Sequence, residues 1–228
     1  VRPSISSIAL KNLKKNNLIK IKNCNLELSF SNIDSWDNIT AQKLIDFKKQ
    51  CDELNITIKS SQSLFYNVIN SNDCISKGSN EKLLSHIDKI INFTKILGIE
   101  ILVFGTPSIR KEFKKNEKDI IYFFKQIDNK LMGTNCVLCI EPNSKYYGGE
   151  YFFTIKEIVN FITLNNFCNI KTMVDTHNLL LENQNIEESI YNFKDHIKHI
   201  HISEINLSEI NFNYELINLI KVINENLN

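Results

Sequence analysis

Short apolar runs recur along the chain at intervals of about 25 to 40 residues, with amphipathic stretches between them. That alternation is the βαβα pattern of a parallel sheet. The runs predict strands at Ser4–Leu10, Cys24–Phe30, Ile56–Ser61, Ile99–Gly105, Val137–Asn143, Thr172–His177 and Ile197–Ser203. The intervening stretches predict helices at Ala41–Leu54, Glu81–Leu97, Glu117–Leu131, Ile155–Leu164, Ile186–Phe193 and Tyr214–Asn226. Within the second of these, Leu83, Leu84, Ile87, Ile90, Ile91 and Leu97 repeat at helical spacing and mark one buried face. Gly98 follows where a left-handed residue would end the helix.

Two architectures satisfy this order of elements, a (β/α)-barrel and an open doubly wound sheet. The open sheet usually carries a Gly-rich first βα turn, whereas Lys11-Asn-Leu-Lys-Lys15 after the first run has no glycine. The barrel is therefore the expected fold, an α/β chain of (β/α)8 type. Seven strands are predicted where a closed barrel has eight, so the expectation is a truncated chain or a barrel left open at the eighth position. No linker interrupts the pattern, and residues 1–228 read as a single domain.

Barrel strands deliver their chemistry at their C-terminal ends. In the fifth, Val137, Cys139, Glu141 and Asn143 share one face while Leu138 and Ile140 share the other. Glu141 then points inward beside Pro142, and a carboxylate there is costly unless paired or coordinating a cation. The sixth strand places Met173, Asp175 and His177 on one face. The seventh sets His199 and His201 opposite Ile200 and Ile202. Each residue also has a plain structural reading: Glu141 as a salt-bridge partner, Asp175 as a helix N-cap, His199 as a supporting core histidine. Their coincidence at three successive strand ends favours a site. Mixed oxygen and nitrogen ligands of this kind suit a divalent metal, Mn, Mg, Co or Zn.

Composition narrows the partners. Hydrophobic residues make up 43% and charged residues 23% of the chain, as in an ordinary soluble domain. A formal net charge of +1 supplies no bulk attraction to nucleic acid or anionic membrane. No run approaches the roughly 18 apolar residues of a spanning helix, and no signal-peptide pattern opens the chain, so a cytoplasmic location is expected. Cys136-Val-Leu-Cys139 matches a C-x-x-C spacing, but on a strand the two sulfurs diverge, and buried free thiols are the expectation.

Four segments carry a family likeness: Leu97-Gly-Ile-Glu-Ile-Leu-Val-Phe-Gly-Thr-Pro107, Ile140-Glu-Pro-Asn143, Val174-Asp-Thr-His-Asn-Leu179 and His199-Ile-His-Ile-Ser-Glu204. Gln62-Ser-Leu-Phe65 extends the match to the third strand. In these the chain resembles the sugar-phosphate isomerase/epimerase family of xylose-isomerase-like TIM barrels. The resemblance implies metal ligands at Glu141, Asp175 and His201, with Glu141 also the catalytic base, and a sugar or sugar-phosphate substrate. It implies an isomerase or epimerase that moves a proton next to a carbonyl, and it is compatible with a homo-oligomer. The family's fourth ligand is a Glu on strand eight, which this chain lacks, and Asn178 stands where many epimerases have His. Lys59, Gln62, Arg110, Asn143, His177 and His199 are the candidate substrate contacts. A sugar-binding or assembly barrel without catalysis is one alternative. A metal-dependent phosphodiester hydrolase of the AP-endonuclease branch is another, disfavoured by five histidines and the near-neutral charge.

Overall fold

The computed structural model describes residues 3–10, 12–70, 73–204, 209–210 and 214–227. Seven strands form one parallel sheet in chain order: β1 (Ser4–Ser6), β2 (Asn25–Ser29), β3 (Thr57–Gln62), β4 (Ile101–Phe104), β5 (Val137–Ile140), β6 (Ile170–Asp175) and β7 (Ile197–His201). Among the described residues β1 pairs only with β2 and β7 only with β6. The sheet nevertheless curls, because side chains of β7 hydrogen-bond across the interior to β2.

Helices cover the outside. They are α1 (Lys15–Leu18), α2 (Ala41–Glu53), α3 (Asn80–Leu97), α4 (Phe113–Leu131), α5 (Ile155–Leu164), α6 (Thr176–Leu181), α7 (Ile186–Phe193) and α8 (Tyr214–Asn226). Their ends follow local rules. At α5, Thr154 Oγ1 accepts from the Glu157 amide at 3.1 Å while the Glu157 carboxylate accepts from the Thr154 amide at 3.3 Å, a reciprocal capping box. α3 stops at Gly98, whose φ of 74° is open to glycine at no steric cost, as its position predicts.

Most strands are shorter than their apolar runs, while β3 and β6 keep the expected length but are shifted along the chain. After Ser6 the first run turns into a short 3-10 segment at Ser7–Ala9. The sixth run becomes α6 at Thr176, so His177 lies on a helix rather than on the strand face predicted for it. Asp175 makes that switch: its Oδ1 accepts the Asn178 amide at 2.8 Å, capping the helix.

Two apolar layers result from strand alternation. Leu102, Phe104, Leu138 and Ile140 face outward into the core shared with the helices. Val103, Cys139 and Met173 pack together inside the barrel, with Ile101 and Val137 against them. The two cysteines of the C-x-x-C spacing therefore belong to different layers, Cys136 outside and Cys139 inside. Burial pushes the Cys136 thiol up to about 12 and raises that of Cys139 as well. No disulfide joins them.

Two bulges set what faces the interior. The β2–β3 register runs from Leu26 opposite Ile58 to Glu27 opposite Ser60, leaving Lys59 as an extra residue. The β6–β7 register runs from Thr172 opposite Ile197 to Met173 opposite His199, leaving Lys198 extra. Without the second bulge His199 would neighbour Val174, which faces the other way; with it, His201 comes beside Asp175.

A thiol reagent added to the native protein should label exposed Cys168 at once and reach Cys51, Cys136 and Cys139 only on denaturation. Mass spectrometry of the labelled peptides reads this directly.

Candidate functional site

Above the inner apolar layer, at the C-terminal ends of the strands, three carboxylates surround one imidazole. His201 Nδ1 lies 3.1 Å from Glu141 Oε1 and 3.7 Å from Asp175 Oδ2. Its Nε2 lies 3.0 Å from Glu27 Oε2. His199 Nε2 meets the other oxygen of Glu27 at 2.8 Å. All five side chains are largely buried, Glu27 most of all at 4% exposure.

Each carboxylate is held by its own surroundings. The Glu141 amide donates to the Phe104 carbonyl at 3.1 Å, and Arg110 donates to the Glu141 carbonyl at 2.7 Å, so its backbone is gripped from both sides. Asn143 Nδ2 donates to Glu141 Oε2 at 2.9 Å. That same oxygen would lie 2.3 Å from a Cβ built on Gly105, so the glycine at the end of β4 leaves the space the carboxylate fills. Ser203 Oγ contacts both oxygens of Asp175 at 3.2 Å. Thr176 exchanges hydrogen bonds with the backbone of Ser203 at 2.9 and 3.0 Å, tying the end of β7 to the start of α6.

The electrostatics follow from this crowding. Burial alone would lower the His201 pKa, but Asp175, Glu141 and Glu27 together hold it well above the ordinary histidine value. Burial opposes ionisation of Glu27, yet its bonds to His199 and His201 prevail and hold it far below the usual carboxylate range. Tyr147, on the loop after β5, donates to or accepts from His177 Nε2 at 2.6 Å. Burial raises its phenol, and the carboxylates of Asp175 and Glu141 add to that shift.

His201, Glu141 and Asp175 each present one donor atom, and the three lie within 4.8 Å of one another. One imidazole nitrogen and two carboxylate oxygens fit a divalent cation. Glu27, His199 and His201 form a second set within the same limit.

The candidate substrate contacts divide. Gln62, Asn143 and His199 reach this cluster, Gln62 by donating to Glu27 Oε2 at 2.9 Å. Lys59 does not: the bulge turns it to Glu100, 2.6 Å away. Arg110 is fully buried, and its guanidinium donates to the carbonyls of Phe104 and Glu141 and lies over the rings of Phe104 and Phe152. Burial pulls its pKa down to about 10. It positions Glu141 where a substrate clamp was expected. His177 is buried on α6 against Tyr147. Asn178, in place of the His of many epimerases, accepts the Ser144 amide at 3.0 Å and anchors the loop after β5.

Sequence reasoning missed Glu27, and a signal for it exists. In Leu26-Glu27-Leu28 the leucines pack outward in the core shared with the helices, so alternation sends the carboxylate inward. Gly105 and Ser203 carry no comparable signal.

The model of the xylose isomerase-like TIM barrel family matches residues 26–217. The chain belongs to that family. Solved structures similar to this xylose isomerase-like barrel include a D-psicose 3-epimerase determined in the presence of D-fructose. It superposes with a TM-score of 0.75 at 15% identity, over 99% of this chain and 81% of that one. A sugar phosphate isomerase/epimerase from Parabacteroides distasonis gives 0.72 at 17% identity, over 98% and 84%. An AP endonuclease, family 2, from Brucella melitensis gives 0.73 at 15% identity, over 99% and 89%. No curated protein matches the sequence. At these identities the likeness establishes the fold, and activity must be argued from the site.

Two predictions come from this geometry. Gly105→Ala should keep the fold but force the Glu141 carboxylate aside, weakening Mn²⁺ binding roughly tenfold or more by calorimetric titration. The second concerns pH. Folding holds His201 protonated, so its contribution to stability is complete below its unfolded value of about 6.5 and is lost as pH rises through the raised value. Glu27 is held ionised, so its contribution is present above its ordinary value and lost as pH falls through the lowered one. The melting temperature of chelator-treated protein should fall as pH rises above about 6.5 and through the raised His201 value, and His201→Gln should flatten that slope.

Proposed function

We propose that this protein is a divalent-metal-dependent isomerase or epimerase of a sugar, sugar phosphate or related polyol, acting by proton transfer next to a carbonyl. The observation that carries the reading is the convergence of Glu141, Asp175 and His201 at the C-terminal ends of three successive strands. These three residues would hold the cation, Mn, Mg, Co or Zn. When bound, it would polarise a substrate carbonyl and neighbouring hydroxyl.

Glu141 is the base. Its Oε1 faces His201 and its Oε2 faces Asn143, so the carboxylate is oriented by two donors. The fixed backbone on either side of it keeps that orientation from drifting. A single carboxylate can take a proton from one carbon and return it to the next, as aldose–ketose isomerisation requires. Epimerisation with a separate acid on the opposite face needs a second group that the described cluster does not provide. Lys59 and Arg110 are committed to Glu100 and to backbone carbonyls, which favours an uncharged sugar over a phosphorylated one. The same commitments, with three carboxylates in the site, disfavour a phosphodiester substrate. We further propose that residues 1–228 act as one domain in the cytoplasm.

Protein purified without chelator should carry near-stoichiometric Mn, Co or Zn, and Glu141→Gln or His201→Ala should weaken metal binding about 100-fold or more. In deuterated water, the metal-loaded protein should exchange a carbon-bound hydrogen next to the carbonyl of a neutral ketose or aldose, followed by NMR. Wild-type metal affinity in both variants would remove the proposed site. Full metal occupancy without exchange across neutral and phosphorylated sugars would leave a binding barrel.

A further inference from the structure

The cluster contains two sets of possible metal ligands that share His201, one on each ring nitrogen: Glu141 and Asp175 face Nδ1, whereas Glu27 and His199 lie on the Nε2 side. An imidazole nitrogen that binds a cation cannot also carry a proton. The hydrogen bonds around Glu27 decide between the two sides. Oε1 of Glu27 receives Ser60 Oγ at 2.9 Å and His199 Nε2 at 2.8 Å. Oε2 receives Gln62 Nε2 at 2.9 Å and His201 Nε2 at 3.0 Å. A carboxylate offers about four acceptor sites, so four donors saturate it.

Glu141 differs. Its two oxygens receive one donor each, Asn143 on one and His201 on the other, leaving lone pairs for a cation. Gln62 is itself braced, since its amide nitrogen also reaches Ser6 Oγ at 2.6 Å. Glu27 is thus anchored directly from β3 and β7, with β1 bracing Gln62 behind it, and it is deeply buried.

We infer that Glu27 is a positioning residue: it holds the Nε2–H of His201 so that Nδ1 is the nitrogen presented, with Glu141 and Asp175, to a divalent cation. His199 is the second anchor of Glu27 and takes no part in coordination. Ser60 and Gln62 complete the frame by occupying the lone pairs that would otherwise compete for the metal. A carboxylate behind a ligating histidine in this way fixes the ring tautomer and its direction. The inference rests on the metal-dependent reading of the site, but its test separates the two.

The test uses histidine labelled with nitrogen-15 and protein loaded with cadmium-113, whose coupling to a ring nitrogen reveals the bond. In the wild type, His201 should show coupling at Nδ1 and a protonated Nε2, and His199 should show no coupling. Glu27→Gln keeps the shape of the side chain but replaces two acceptor oxygens with one oxygen and one donor amide. It should weaken Cd²⁺ binding by about 10- to 100-fold and give mixed His201 tautomers, with circular dichroism unchanged. Coupling at His201 Nε2 or at His199 would overturn the assignment while leaving the metal-dependent reading intact, and needs no variant that might misfold. Absence of any cadmium uptake by the wild type would overturn both.

Discussion

Three carboxylates converge on the single imidazole of His201 inside the barrel, and the mutual repulsion of those carboxylates is the constraint the surrounding structure answers. Two like charges about 4 Å apart repel by on the order of 4 kcal/mol at an effective dielectric near 20. A lone imidazole offsets only part of that. The remainder is met by donors placed at fixed points: Ser60, Gln62 and His199 on Glu27, Asn143 on Glu141, and Ser203 with the Asn178 amide on Asp175. A group of acids that would otherwise protonate or splay apart is held together in one place.

The fold serves that requirement in distinct ways. The inner layer of Val103, Cys139 and Met173 supports the cluster from below and keeps the lower barrel apolar. Bulges at Lys59 and Lys198 change which side chains are neighbours, bringing Ser60 to Glu27 and His201 to Asp175. Arg110 fastens the ends of β4 and β5 through their carbonyls, and Gly105 leaves the room beside them. Asp175 does two jobs with two oxygens, capping α6 with one and facing His201 with the other. The N-cap and site readings of this residue are therefore compatible rather than exclusive.

Charged residues near strand ends did not all become part of the site. Lys59 and Arg110 have the right chemistry for an anionic substrate and lie near the right strand ends, yet each has a nearer partner. A buried guanidinium needs acceptors wherever it finds itself, and strand-end carbonyls supply them. His177 illustrates the same point through backbone geometry. The chain leaves β6 two residues earlier than its apolar run suggests, and the imidazole turns to Tyr147.

Much of this protein follows from its sequence alone. The parallel order of strands, the helices between them, the inward direction of Glu141, Asp175 and His201, and the divergence of Cys136 from Cys139 all depend on local periodicity, which short-range sterics enforce. Tertiary structure alone decided the rest. Strand register can slip by one residue at a bulge without a mark in the apolar pattern, and Glu27 meets His201 across 174 residues of chain because the sheet curls. Alternation could send Glu27 inward, but only the curl of the sheet could decide what it would face there. Hydrogen-bond partners of that kind are set by distance in space, which periodicity along the chain does not encode.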